Sequence, residues 1–375
     1  MSAPSVPPAP PAPPACIPPL TPAATTPPPK LPALLGRVLL LLVALLVFML
    51  ALHLLRSGIA SHGTALLNVL QVGTAINTLG LGWLLAYVFL SGSPVAALAV
   101  TLFAAGTLNA LQTFTMITGS RLGAAFVVLI VGAIASLRQR RRAPVAVGVL
   151  AMLATAAIYI PALLPGYWLL TSGVLAQIEA YAATPLTSPF EHLLAPVVQL
   201  LTATLPDWLL LVGGILTLLA ALHLFDLALP ATLIERLAQH RAAALLLSPV
   251  GMFLLGGAVT AITLSVSVSL GLLIPLASKG QIQPRHMLPY ILGANITTFV
   301  DTLVAALIVG GSPAFVIVLI ELLSVTLLSL FVLLCCYRSF ERGLLTAQVW
   351  IAARAWRFGV FVFVLILVPL MLLAV

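Results

Sequence analysis

The sequence predicts an all-α polytopic membrane protein built from two inverted-topology repeats, each with a re-entrant broken hairpin, plus one extra C-terminal transmembrane helix. Three observations carry this expectation. The 375 residues are 62% hydrophobic and only 6% charged, against about a quarter charged in a soluble globule. Residues 82–123 recur, degenerate but ungapped, at 256–297, an offset of 256 − 82 = 174. Finally, Lys and Arg fall almost entirely on one side of the spans that the apolar runs define, as the positive-inside rule requires.

Apolar runs of about 20 residues match a bilayer core about 30 Å thick. Such runs lie near 34–55, 113–137, 144–164, 208–228, 287–309, 313–334 and 358–375. Two further apolar stretches, 66–104 and 243–278, are interrupted by Gly, Ser and Pro and are expected to enter and leave by the same face. The formal charge of +8 reads as membrane topology rather than nucleic-acid binding. Arg138, Arg140, Arg141 and Arg142 form one cluster, and no Lys or Arg occurs between Ala143 and Glu235, which makes 165–207 external. Arg236 and Arg241 bring the chain back inside, together with Lys279, Arg285, Arg338, Arg342, Arg354, Arg357, Lys30 and Arg37; only Arg56 falls outside and only Arg121 within a span. The expected topology is N-terminus cytoplasmic and C-terminus external, in a bacterial-type plasma membrane.

Residues 1–32, with 14 prolines, form a Pro-rich tail unable to bury enough apolar area to fold, and no signal-peptide pattern is expected there. Repeat 1 spans 33–165 with its hairpin at 66–104. An external loop with an interfacial helix fills 166–207. Repeat 2 spans 208–336 with its hairpin at 243–278. A cytoplasmic amphipathic helix at 337–357, carrying Arg342, Arg354 and Arg357 beside Trp350 and Trp356, suits a membrane interface. The span 358–375 has no counterpart. Cys16, Cys335 and Cys336 and six histidines show no disulfide or metal-ligand spacing, so no cofactor is expected. There is no HExxH, no GxSxG and no base placed near the serines, so the chain is not expected to be an enzyme.

The polar residues inside the apolar stretches are the candidate site. Both hairpins break at matched places, Ser91-Gly92-Ser93-Pro94 and Ser265-Val266-Ser267. Backbone freed from helical bonding survives in lipid only beside protein or a watery cavity. There its carbonyls suit a cation and its half-helix N-termini suit an anion. Small residues also simply permit close helix packing. The following helices carry Gly119-Ser120-Arg121-Leu122-Gly123 and Gly293-Ala294-Asn295-Ile296-Thr297-Thr298, with Arg121 aligned to Asn295. A charge within a span calls for a partner. Asp301 is the first candidate and Glu321 the second. Arg121 either locks the halves together through such a pair or presents its charge to an anion.

These motifs resemble the sodium/phosphate cotransporter family, which has a Q-S-S-S tip in each inverted hairpin and a G-A-N-I-G-T-T segment in the next helix. The resemblance covers about residues 34–334 and is strongest in the second half, from Thr260 through Leu264-Ser265-Val266-Ser267 to Gly293–Thr298. The motif glutamines are replaced by Leu90 and Leu264, one serine of each triplet by Gly92 or Val266, and the first motif asparagine by Arg121. The resemblance implies a secondary transporter of a small inorganic anion, phosphate-like and sodium-coupled. Ser91, Ser93, Arg121, Ser265, Ser267, Asn295, Thr297 and Thr298 would bind substrate, and Ser265, Asn295 and Thr298 would also hold sodium. Asp301 would be a structural or coupling charge. The alternatives are a degenerate, non-transporting protein on the same scaffold and a transporter of another small solute.

Overall fold

The computed structural model describes residues 31–69, 72–139, 143–173, 189–228, 248–278 and 282–375. The tail before residue 31, Arg140–Arg142, positions 174–188, Arg236, Arg241, the start of the second hairpin at 243–247, Lys279 and Gly280 lie outside the described residues. Among those described, every regular element is helical, and six helices are long and apolar enough to cross a membrane.

The first half consists of α1 (Leu31–Val69), α2 (Ala75–Val88), α3 (Ser93–Ala104), α4 (Ala110–Gln139) and α5 (Ala143–Thr171). Then come α6 (Pro189–Thr204) and α7 (Asp207–Ala228). The second broken stretch is α8 (Pro249–Thr263), α9 (Val266–Gly271) and α10 (Leu273–Ser278). The expected single span at 287–309 is instead two helices, α11 (Pro284–Thr297) and α12 (Phe299–Ala305), ending in a wide π-turn at Ala306–Gly310. That turn stops at Gly311, whose φ of 61° suits only glycine. Next are α13 (Gly311–Phe331) and a second π-turn at Val332–Cys336, then α14 (Tyr337–Ala353) and α15 (Ala355–Ala374). The last two meet at a bend at Arg354, just beyond which the Arg357 guanidinium lies 4.4 Å from the ring centre of Trp350 and 5.5 Å from that of Trp356.

The 174-residue offset reappears as geometry. Thr74 caps α2 by accepting from the Asn77 N–H at 3.2 Å, and Ser248 caps α8 by accepting from the Gly251 N–H at 3.0 Å. Both helices end at a leucine in the left-handed region, Leu90 (φ 51°) and Leu264 (φ 52°). A branched side chain pays about 1–2 kcal/mol for that conformation, so each turn is held by its surroundings rather than by local preference. Glycine contacts repeat as well. A Cβ on Gly82 or Gly119 would collide with the carbonyls of Met116 and Leu79, and one on Gly256 or Gly293 with those of Tyr290 and Phe253. Each partner is the same 174 residues from its counterpart.

Contacts advance together along α2 and α4. Gln112 donates to the Gly73 carbonyl, Thr115 meets Thr78, and the Phe126 ring lies 4.2 Å from that of Tyr87. The two helices run in the same direction, so α3 must carry the chain back between them. α1 and α7 run antiparallel: Gly58 packs on Leu211, Gly214 on Leu55, and Phe48 on Phe225. α3 packs on α12 and its π-turn, while α9 packs on α4 and α10 on α5. Each hairpin therefore leans on the other half.

Gly119→Ala and Gly293→Ala are expected to lower the detergent-solubilised melting temperature by several degrees each, because a backbone carbonyl cannot move aside. Gly343→Ala lies on an open face of α14, where a Cβ would meet nothing within 4 Å. It should leave the melting temperature unchanged or slightly raised by better helix propensity. A thermal size-exclusion assay reads both.

Candidate functional site

Arg121 lies eleven residues into α4, roughly 16 Å along the helix at 1.5 Å per residue and therefore about half a bilayer core deep. It is 3% exposed. Its guanidinium reaches across to the second half. Nη1 donates to the Thr298 hydroxyl at 3.1 Å, and Nη2 contacts Asp301 Oδ1 at 3.4 Å and donates to the Thr302 hydroxyl. The guanidinium carbon sits 5.0 Å from the centre of the Phe299 ring. Thr298, Asp301 and Thr302 are presented together because positions three and four apart share a helix face. Asp301 Oδ1 also accepts from the Thr302 backbone N–H at 2.6 Å and its hydroxyl at 2.9 Å. Its other oxygen, Oδ2, is buried without a hydrogen-bond partner among the described residues, as is Arg121 Nε.

One turn before Arg121 on the same face, the Thr118 hydroxyl lies 2.8 Å from Glu321 Oε1 and 3.0 Å from the Phe114 carbonyl. Glu321 is 1% exposed, and its Oε2 has no hydrogen-bond partner among the described residues. On α5, the Tyr159 hydroxyl donates to the Asn295 carbonyl at 2.8 Å, and Asn295 Nδ2 donates to the Thr155 hydroxyl at 3.1 Å. Helices α4, α5, α11, α12 and α13 thus converge on one buried polar cluster.

The proposed site residues divide into two groups. Arg121, Thr298 and Asp301 are in direct contact, and Asn295 joins them one turn away through Tyr159 and Thr155. The tip serines are not hydrogen-bonded to Arg121 or to each other among the described residues. Ser265 instead caps α9, accepting from the Val268 N–H at 3.3 Å. The Ser91 N–H donates to the Ala86 carbonyl at 3.2 Å. Thr297 makes only a 3.5 Å contact with the Gly293 carbonyl. Ser93 and Ser267 are half-buried on the two breaks. Yet both breaks rest on α4: a Cβ on Gly92 would lie 2.7 Å from the Ser120 carbonyl, and α9 packs along the same helix. Ser265, Asn295 and Thr298 each spend their polar groups on different neighbours, and the Thr298 hydroxyl already faces a guanidinium.

Tyr159, Thr155, Thr302, Phe299 and Thr118 belong to the cluster without having been singled out from the sequence. Thr118 had a readable signal, since it lies one turn from Arg121, and Thr155 and Tyr159 lie four apart on an otherwise apolar helix. The second hairpin also carries a polar relay, Thr260 to Ser269 at 2.7 Å and Ser269 to Tyr290 at 2.9 Å, where the first half has Ala86, Val95 and Met116.

The fold and its buried charges define an integral membrane protein with an ionic centre in its core. No protein-family model, curated protein or solved structure matches the chain.

Breaking the buried Arg121–Asp301 contact strands a charge, which costs about 3–5 kcal/mol. Arg121→Ala and Asp301→Ala should each reduce stability by that order. The Arg121→Ala/Asp301→Ala double variant should lose clearly less than the sum of the two, as measured by a double-mutant cycle on unfolding in detergent.

Proposed function

We propose that this protein is a secondary transporter of a small, phosphate-like inorganic anion. The halves act as inverted repeats, the hairpins 66–104 and 243–278 enter from opposite faces, and alternating access comes from one bundle rocking against the other. The observation that carries this reading is the buried Arg121, placed about mid-membrane on the helix against which both hairpin breaks pack. A fixed guanidinium there supplies the charge and forked donors that an oxyanion needs, while Ser91, Ser93, Ser265 and Ser267 provide hydroxyls on the two breaks. Alternation exposes the cluster to each side in turn, and the buried arrangement described above corresponds to a closed form. The coupling ion implied by the resemblance is sodium, held by carbonyls and hydroxyls around Ser265, Asn295 and Thr298. Asn295 and Thr297 flank the anion in the same scheme.

A second reading, a scaffold that has lost transport, is favoured by the replacement of both tip glutamines with Leu90 and Leu264. It predicts that Asn295, Thr297 and Thr298 tolerate substitution at no cost beyond stability.

Purified protein reconstituted in vesicles should accumulate radiolabelled phosphate under an inward cation gradient, with competition by other small oxyanions. Arg121→Lys should weaken apparent affinity at least tenfold and Arg121→Ala should abolish uptake, both in protein that still elutes as a folded species. Normal affinity in both variants removes Arg121 from the anion site, and no uptake of any anion under any gradient removes transport.

The membrane orientation is tested separately. With Cys16, Cys335 and Cys336 replaced by Ala, a membrane-impermeant thiol reagent added to intact cells should label Ser172→Cys and spare Leu137→Cys, both exposed positions at opposite ends of the α4–α5 pair. The reverse pattern overturns the orientation.

A further inference from the structure

Three side chains of acidic or basic residues lie within the buried centre: Arg121 and Asp301, which contact each other, and Glu321, which forms no ion pair among the described residues. The groups facing Glu321 from the surrounding elements are Thr118 and Arg121 on α4 and Tyr159 on α5, with Asp301 on α12 beyond them. A carboxylate in this place would hold its charge on one hydroxyl contact, with Oε2 sealed from water and unpartnered. The cluster would then carry +1 from Arg121 against −2 from the two carboxylates. Such an uncompensated charge is costly in the membrane interior. The hydroxyl geometry points the same way. Thr118 has one hydrogen and two acceptors within reach, the Phe114 carbonyl at 3.0 Å and Glu321 Oε1 at 2.8 Å. If the hydroxyl donates to the carbonyl, as hydroxyls on helices commonly do, the shorter contact needs a hydrogen on the glutamate.

We propose that Glu321 is a reversible proton-binding site that couples anion movement to a proton gradient. This rests on the transport reading above and assigns the proton as its coupling ion, in place of the sodium that the resemblance implies. In the closed form Glu321 is a neutral carboxylic acid, and the cluster is balanced by Arg121 and Asp301 alone. When the cluster opens to water, the carboxyl O–H breaks and its proton leaves to that side with the anion. Rebinding from the opposite side restores the neutral acid. Arg121 is engaged with Thr298, Asp301 and Thr302 and supplies the fixed charge of the cluster. Its charge beside the Thr298 hydroxyl also repels a sodium ion from that position. The proton is therefore the cation that cycles.

Reconstituted vesicles loaded with unlabelled phosphate provide the test. Wild type should accumulate labelled phosphate under an inward proton gradient without sodium, and uptake should rise as external pH falls. Glu321→Gln, a permanently neutral analogue, should keep phosphate-for-phosphate exchange within about threefold of wild type, while gradient-driven accumulation falls at least tenfold. Glu321→Asp should restore part of it. Infrared difference spectra of wild type against Glu321→Gln at neutral pH should show the carbonyl stretch of one protonated carboxylic acid, a readout independent of transport. Accumulation by Glu321→Gln equal to wild type, or a spectrum in which Glu321 is a carboxylate, overturns the proton site. A protonated Glu321 in a protein that neither exchanges nor accumulates phosphate overturns the transport reading and with it the coupling, while the acid itself stands.

Discussion

The contact between Arg121 and the Thr298–Thr302 face of α12 is the constraint around which the rest of the structure is arranged. A guanidinium about 16 Å along a membrane helix faces a penalty of at least about 2.5–3.5 kcal/mol, and protein groups that answer its charge, its Nη donors and its flat face reduce that penalty. Asp301 answers the charge, Thr298 and Thr302 the donors, and Phe299 the flat face. All four sit on one turn and a half of helix from the other half of the chain. The halves therefore cannot separate or slide by a helical turn without exposing a charge to hydrocarbon.

That restriction makes sense of the glycines. Hydrophobic burial gives little drive for helix association in lipid, so close packing takes its place. Gly82 and Gly119 bring α2 and α4 into backbone contact, and Gly256 and Gly293 do the same for α8 and α11. Each hairpin's first limb is thereby fused to the long helix of its own half. Its returning limb packs on the other half. The two halves are thus joined by reciprocal limbs, with a charge pair spanning the joint.

The helical class and most of the span positions were legible because each depends on local composition, which reads directly as apolar length. The offset of 174 was legible for the same reason: identical residues recur where identical packing is needed, and Gly82, Gly119, Gly256 and Gly293 proved to be contact points. Asp301 could be named as a partner for Arg121 because charges in spans seldom stand alone. The break at Thr298 and the π-turn at Ala306–Gly310 were not legible, since the run from Met287 to Val309 is continuously apolar apart from the residues that form the site. Tyr159 and Thr155 were hidden for a different reason. Their role depends on α5 lying beside α11, a long-range neighbour relation that no periodicity within α5 encodes. The left-handed leucines were equally hidden, because leucine is a poor residue for that conformation and only tertiary packing holds Leu90 and Leu264 there.

Where the two halves differ is as informative as where they agree. Arg121 and Asn295 occupy matched positions on matched helices and both reach across the joint, but Arg121 takes a charge to Thr298, Asp301 and Thr302 while Asn295 takes a neutral amide to Thr155. The relay of Thr260, Ser269 and Tyr290 has only Ala86, Val95 and Met116 as counterparts. The first half thus contributes the positive charge together with the hydroxyls of Thr118, Thr155 and Tyr159, while the second contributes both carboxylates and the hydroxyls of Thr298 and Thr302. A symmetric pair of ion sites would place like charges or like dipoles against each other at the joint. Dividing cation and carboxylates between the repeats removes that repulsion and leaves one centre shared by both. The duplicated backbone supplies the scaffold, and the loss of symmetry in a handful of side chains gives it a single buried centre holding Arg121, Asp301 and Glu321.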